Sequence, residues 1–119
     1  MECVNIQRNW AITEDYEITT STPEGYCTSA HDEYNLNMSQ SGCLLTVVAK
    51  EGAIFNGKIC GTDLSWSGSY TYGDGGTITL NTTTAKTDET GAILVDGNIN
   101  WTYSDSSGSC NGISSFTGR

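Results

Sequence analysis

The most chemically suggestive residue of this chain is Glu14. In the run Trp10-Ala11-Ile12-Thr13-Glu14-Asp15-Tyr16-Glu17-Ile18 the even positions are apolar apart from Glu14, and the odd positions are mostly polar. If the run is a strand with its even side chains buried, Glu14 points inward among Trp10, Ile12, Tyr16 and Ile18. An inward carboxylate must be paired, hydrated or protonated. It could then receive a cationic ligand or, in a dry apolar pocket, act as a general base. The ordinary alternative is a carboxylate at a mouth or a bulge, in contact with water. Trp66, Tyr70, Trp101 and Tyr103 fall on the inward side of later alternating runs. With Glu14 and Tyr16 they form a candidate box for a flat or cationic ligand. Against this stands plain core filling, because an eight-stranded barrel can be filled by side chains alone.

Other constellations carry less. His31 stands beside Asp32 and Glu33 in a stretch, Thr20 to Asp32, that reads as the longest loop. One His with two acids can bind a metal weakly or move a proton, but a solvated loop has the same composition. Gly108-Ser109-Cys110-Asn111-Gly112 has the letters of a nucleophile elbow with Cys for Ser. That motif needs a helix after it, whereas a strand pattern follows here. The single acids at Asp74, Asp96 and Asp105 lack the repeated spacing of a calcium loop. Asn37, Asn81 and Asn100 open glycosylation triplets, which matter only in a eukaryotic secretory route. No catalytic set, metal site or cofactor motif is expected.

The elements that must position these residues are strands. Fourteen Gly, seventeen Thr and few Ala or Leu leave no apolar run at helical spacing. Eight runs alternate instead: residues 10–18, 34–39, 44–49, 54–60, 64–72, 77–84, 92–103 and 113–117. Ser41-Gly42 reads as a two-residue turn setting Met38 opposite Leu45, Leu36 opposite Val47 and Tyr34 opposite Ala49. Gly61-Thr62 reads likewise, setting Ile59 opposite Leu64, Gly57 opposite Trp66 and Phe55 opposite Gly68. A large ring over a glycine suits a tightly curved sheet. Glu51-Gly52-Ala53 fits a three-residue loop with a bulge. In the seventh run Ile93, Val95, Gly97, Ile99, Trp101 and Tyr103 share a face, with Gly97 a kink or, alternatively, part of an Asp96-Gly97 hairpin. Short connections throughout imply a meander. The expected fold is all-β, a single domain over 1–119 with residues 1–8 as an N-terminal extension. It closes into an eight-stranded antiparallel up-and-down barrel, with a two-sheet sandwich as the alternative.

Charge and cysteine usage bound the setting. The net charge is −9, and the basic residues Arg8, Lys50, Lys58, Lys86 and Arg119 are scattered, so nucleic acid is excluded as a partner. No stretch approaches the length of a membrane helix. Five cysteines in a Thr/Ser/Asn/Gly-rich chain point to an oxidising compartment. The start, Met1-Glu2-Cys3-Val4, has no leader pattern, so the expectation is a mature extracellular or periplasmic chain, monomeric or dimeric. No Cys-x-x-Cys spacing occurs, which favours disulfides over zinc. In a meander Cys27 and Cys110 lie at one rim beside neighbouring strands, while Cys43 and Cys60 lie at the opposite rim across one hairpin. Cys27–Cys110 and Cys43–Cys60 are therefore expected, with Cys3 free.

The segment from Phe55 to Tyr70, with its Ser65-Trp66-Ser67-Gly68-Ser69-Tyr70, resembles a pattern of small bacterial exported β-proteins of unknown function. So does the segment from Gly97 through Trp101-Thr102-Tyr103-Ser104-Asp105 and Gly108-Ser109-Cys110-Asn111-Gly112 to Phe116-Thr117-Gly118-Arg119. The resemblance spans most of Met38 to Arg119 and implies nothing about activity. In architecture the chain is similar to avidin and lipocalin barrels, with a Trp near the start of the first strand. The lipocalin Gly-x-Trp signature is incomplete, because Arg8 stands two places before Trp10. The leading expectation is a non-catalytic module that holds a small apolar, aromatic or cationic ligand inside a barrel. The rivals are a filled barrel acting as an extracellular protein-interaction or inhibitor domain, and a small barrel isomerase or cyclase using Glu14.

Overall fold

The structure, a computed structural model, describes residues 3–49 and 52–119. Eight strands follow one another: β1 (Arg8–Thr22), β2 (Ala30–Ser41), β3 (Leu44–Val48), β4 (Ile54–Cys60), β5 (Asp63–Thr71), β6 (Thr77–Thr87), β7 (Leu94–Ser104) and β8 (Ser109–Gly118). Each pairs antiparallel with the next, and β1 also pairs antiparallel with β8, so the sheet closes into an up-and-down barrel. Closure leaves no open edge and removes the sandwich alternative. β1 and β2 reach further than the alternation indicates, so the loop between them is residues 23–29 and His31 lies on a strand.

Period-two alternation decides what is inside. In β1 Trp10 and Ile12 are fully buried and Glu14, Tyr16 and Ile18 half-buried, while Ala11, Asp15 and Glu17 face out. In β8 every even position from Cys110 to Gly118 is buried and every odd one exposed. Large rings stand opposite glycines across strands: Trp66 pairs with Gly57, Trp101 with Gly112, and Phe116 with Gly97. A Cβ on Gly97 would lie 2.5 Å from the Phe116 ring, and one on Gly57 2.6 Å from Trp66 Cβ. Gly68 meets Phe55 in the same way, its would-be Cβ 3.0 Å from the Phe55 ring. Missing side chains on one strand thus make room for indole and phenyl rings from the next in a narrow barrel.

Two registers differ from the sequence expectation. The β2–β3 turn is Gly42-Cys43, not Ser41-Gly42: Ser41 pairs with Leu44 and Met38 with Val47. Gly42 has φ +60° and Cys43 is not left-handed, so glycine takes the first central position, as a Gly-x hairpin turn requires. The two-residue slip keeps Leu36, Met38, Leu45 and Val47 on the inner face. Gly61-Thr62 turns as expected, with Cys60 opposite Asp63. At the β3–β4 loop Ala49 N–H donates to Ala53 O (2.7 Å) and Gly52 has φ +82°; Glu51, expected in this loop, lies outside the described residues.

Bulges account for the second difference. β7 is one strand, not a hairpin at Asp96-Gly97, but its register shifts between Leu94 and Gly97 and Asp96 adopts φ +52°. The extra residue exchanges faces below it. Leu94 is fully buried and Ile93, expected inside, is exposed. β6 shifts between Leu80 and Thr82, so the inward set passes from Ile78 and Leu80 to Thr83, Ala85 and Thr87.

The barrel is filled at one end. Trp10, Ile12, Met38, Val47, Ile59, Leu94 and Phe116 pack its interior there. Residues 3–7 close it from outside: Val4 N–H donates to Gly61 O (3.1 Å) and Ile6 is buried. Gln40 holds this segment by accepting from Ile6 N–H (2.9 Å) and donating to Val4 O (3.1 Å). The Trp10 indole N–H donates to Ile6 O (2.9 Å), and the Arg8 guanidinium lies 3.8 Å over its ring.

The disulfides follow from this arrangement. Cys27–Cys110 forms as expected, at the end remote from the plug. Cys43 is bridged to Cys3, not to Cys60. The rim assignment of Cys43 and Cys60 holds, but the N-terminal segment crosses that rim and brings Cys3 to a Cα–Cα distance of 5.5 Å from Cys43. Cys60 lies on the exposed face of β4. The bridges span 40 and 83 residues of chain. On the chain-entropy model they contribute about 4 and about 4.5 kcal/mol respectively. Two such bridges are compatible with an extracellular or periplasmic protein.

Candidate functional site

The end opposite the plug is an open cup of about 570 Å³. Its rim comprises the β1–β2 loop, the β3–β4 loop, the β5–β6 turn and the β7–β8 turn. Its floor is formed by Leu36, Phe55, Trp66, Ile99 and Trp101, all buried. Ile78, Leu80, Tyr72 and Tyr103 make one wall; Glu14, Tyr16, Asp32 and Tyr34 make the wall across from it.

Both floor indoles are held in place. The Trp101 indole N–H donates to Ser114 Oγ at 3.0 Å in a buried bond. The Tyr16 ring meets Trp101 edge-on, with centroids 6.2 Å apart and planes at 79°. Trp66 rests against Phe116 at 5.8 Å. Such supports hold the indole rings in fixed positions.

The polar wall comes from the β1–β2 register. Glu14 stands directly across from Asp32, and Ile12 from Tyr34. The Tyr34 hydroxyl donates to Glu14 Oε1 at 2.6 Å. Burial, then the Glu14 charge and the hydrogen bond to it, push the Tyr34 phenol well above its ordinary value, so it remains a donor across the physiological range.

The rim is tied by Asp105. Its carboxylate accepts from the Tyr26 hydroxyl, from Tyr103 (3.2 Å), and from the backbone N–H of Ser107 (2.8 Å) and Gly108 (3.0 Å). The Tyr26 hydrogen bond is the chief cause holding Asp105 below the ordinary carboxylate value and pushing Tyr26 up to about 12. Cys27 is the residue after Tyr26, so the β1–β2 loop is fastened covalently to the start of β8 at Cys110 and by a hydrogen bond to the β7–β8 turn at Asp105.

Five of the six residues expected at a ligand site, Glu14, Tyr16, Trp66, Trp101 and Tyr103, line the cup together. Tyr70 does not: it lies edge-on to Tyr72, 5.1 Å away, in a small rim recess with Tyr103 and Asp74. Asp32, Tyr34, Phe55 and Tyr72 are among the residues added to them. Alternation already set Tyr34 and Phe55 inward, but which inward residues border a void depends on where the plug ends.

The lesser constellations separate. His31 faces outward and its Nδ1 lies 2.7 Å from Asp15 Oδ1, which raises the imidazole above its ordinary value. Asp32 borders the mouth of the cup, exposed, with its Oδ1 accepting from Glu33 N–H (2.9 Å), and Glu33, also exposed, pairs across with Thr13. Among the described residues no three His, Cys, Asp or Glu side chains gather as a metal site. Cys110 is in a disulfide and enters a strand, so the elbow reading has no structural basis. Asn37, Asn81 and Asn100 are exposed on the outer face. Compared with protein-family models, with curated proteins and with solved structures, the chain finds no match.

Proposed function

We propose that this protein is a non-catalytic binding barrel that takes a small apolar or aromatic molecule into its open cup. One observation carries the reading: an aromatic-floored cavity of about 570 Å³ at one end of a barrel whose other end is plugged. Ligand sites typically measure about 300 to 1,000 Å³ and combine apolar walls with a few placed polar groups. Here those groups are Glu14, Asp32 and the hydroxyls of Tyr16, Tyr34, Tyr72 and Tyr103. Trp66 and Trp101 offer ring surface to a flat molecule. The reading includes an exported setting, supported by the two disulfides and by the likeness of residues 55–70 and 97–119 to small bacterial exported β-proteins. A surface-acting barrel has weaker support. The exposed Leu44 and Ile54 are separated along the outer face of β3 and β4 by Thr46, Asn56 and Lys58, so they form no continuous patch.

A thermal-shift screen of the oxidised protein against fatty acids, aromatic anions and cationic amphiphiles tests the reading. A ligand at a hundred times its Kd stabilises by about 2.7 kcal/mol. Each kcal/mol moves the Tm of a domain of this size by roughly 4 °C or more. Leu80→Trp, which fills the cup from its wall, should abolish the shift. Silence of the wild type across the panel would overturn the reading.

A further inference from the structure

We infer that the ligand of the cup is a cation: an apolar or aromatic body carrying one ammonium- or amidinium-like group. The inference rests on the cup being the binding site and assigns the charge of what it binds. The cavity is two-sided. The wall from β5, β6 and β7 is Ile78, Leu80 and aromatic rings, whereas the wall from β1 and β2 carries two carboxylates. Those carboxylates, Glu14 and Asp32, are cross-strand neighbours. Like charges directly opposite one another destabilise a sheet, and here both side chains border the same cavity. Among the described residues that line it, none is Lys, Arg or His. The one neighbour that the structure gives Glu14 there is a neutral donor, the Tyr34 hydroxyl on Oε1. That hydrogen bond orients the Glu14 carboxyl group and occupies one of its oxygens, leaving the other toward the cavity for a partner.

Position selects the shape of the cation as well. Glu14 and Asp32 stand above the floor, nearer the mouth, whereas Trp66, Phe55 and Leu36 lie beneath them. A ligand that satisfies both levels puts its apolar end on the floor and its positive group part-way up the β1–β2 wall. The Tyr16 ring, two residues from Glu14 on the same face of β1 and supported edge-on by Trp101 below, offers cation–π contact beside the carboxylate. An anion would meet the two carboxylates with no described basic residue to offset them. The net charge of −9 adds a field that draws cations toward the mouth.

The test is calorimetric titration with three probes of one body and different charge: 1-naphthylmethylammonium, 1-naphthylmethanol and 1-naphthoate. Wild type and the E14Q/D32N double variant are compared at low and at physiological salt. The ammonium is expected to bind wild type about tenfold or more tighter than the alcohol, with the carboxylate weakest. That preference should shrink with salt and disappear in the double variant, in which ammonium and alcohol bind alike. Equal affinity of wild type for ammonium and alcohol overturns the charge assignment and leaves the cup reading standing. A cation preference that survives in E14Q/D32N overturns the assignment to Glu14 and Asp32. Failure of all three probes to bind overturns the inference together with the reading beneath it. A poorly folded double variant leaves the decision with the wild-type probe series and its salt dependence.

Discussion

Replacing Thr83 with valine should make this protein more stable, against the usual cost of a core substitution. Thr83 is 1% exposed, and its hydroxyl oxygen is buried without a hydrogen-bond partner among the described residues. Its cross-strand neighbours are Trp66 on β5 and Ile99 on β7, both buried and neither offering an acceptor from its side chain in that direction. A hydroxyl so placed has lost water and gained nothing, a penalty of about 1 to 3 kcal/mol. Valine has the same branching, a methyl in place of the hydroxyl and a high preference for strands. Thr83→Val should therefore gain about 1 to 3 kcal/mol, a rise in Tm of roughly 4 to 12 °C for a domain of this size. Differential scanning calorimetry of the oxidised protein reads this directly. Thr83→Ser, which keeps the hydroxyl and deletes a packed methyl, should melt below wild type. A Thr83→Val protein that melts at or below the wild-type temperature would show that the hydroxyl is satisfied in solution and would refute the reasoning.

Three further outcomes follow from the geometry. Gly112→Ala places a Cβ within the Trp101 ring, so the ring must move off its Ser114 bond; a loss of roughly 1 to 3 kcal/mol is expected, read from denaturant midpoints and a shifted tryptophan emission. Removing the Cys3–Cys43 bridge with C3S/C43S should cost about 4 kcal/mol, and non-reducing peptide mapping of wild type should recover Cys3–Cys43 and Cys27–Cys110 linkages and no Cys43–Cys60 linkage. Asp105 is held below the ordinary carboxylate value by Tyr26 and two backbone N–H groups, so its contribution is present above the unfolded value and is lost as pH falls through the folded one. Asp105→Asn should therefore lower the Tm near neutral pH, and its gap to wild type should close as the pH falls below the ordinary carboxylate range; a gap that stays constant from neutral to acid pH contradicts the assignment.

Much of this architecture could be read from period-two alternation, because one-sided burial imposes it residue by residue. The even positions of β1 go inside with Glu14 among them, and the ring–glycine pairs of Gly57 with Trp66 and Phe55 with Gly68 occur as the turn at Gly61 dictates. What escaped has local causes. The turn at Gly42 was open to two offsets, and the face pattern does not distinguish them because they differ by two residues. Bulges at Asn81 and Asp96 exchange faces with no marked sequence signal beyond a glycine, so Leu94 rather than Ile93 is inside. The partner of Cys43 depended on residues 3–7, whose docking against Gln40 and Gly61 is tertiary and has no periodicity. The cup itself is a matter of how far the plug extends along the barrel axis. Sequence can nominate Glu14, Trp66 and Trp101 as inward, but only the closed three-dimensional arrangement separates the rings that fill from the rings that border a void.

The seam between β1 and β8 also sets the order of events by which the molecule is made. Ala11 and Arg119 exchange backbone hydrogen bonds at 2.9 and 3.0 Å, and Ile12 lies opposite Gly118. The strand that begins the barrel therefore waits for the strand that ends it. Hairpins such as β4–β5 can form as they emerge, but closure must await β8, more than ninety positions after the start of β1. Pairing at such separation is slow relative to local turns. Until then β1 has one unpaired edge and the cup has no complete wall. Closure of this one seam therefore completes the container, and oxidation of Cys27 and Cys110 fixes it near the mouth.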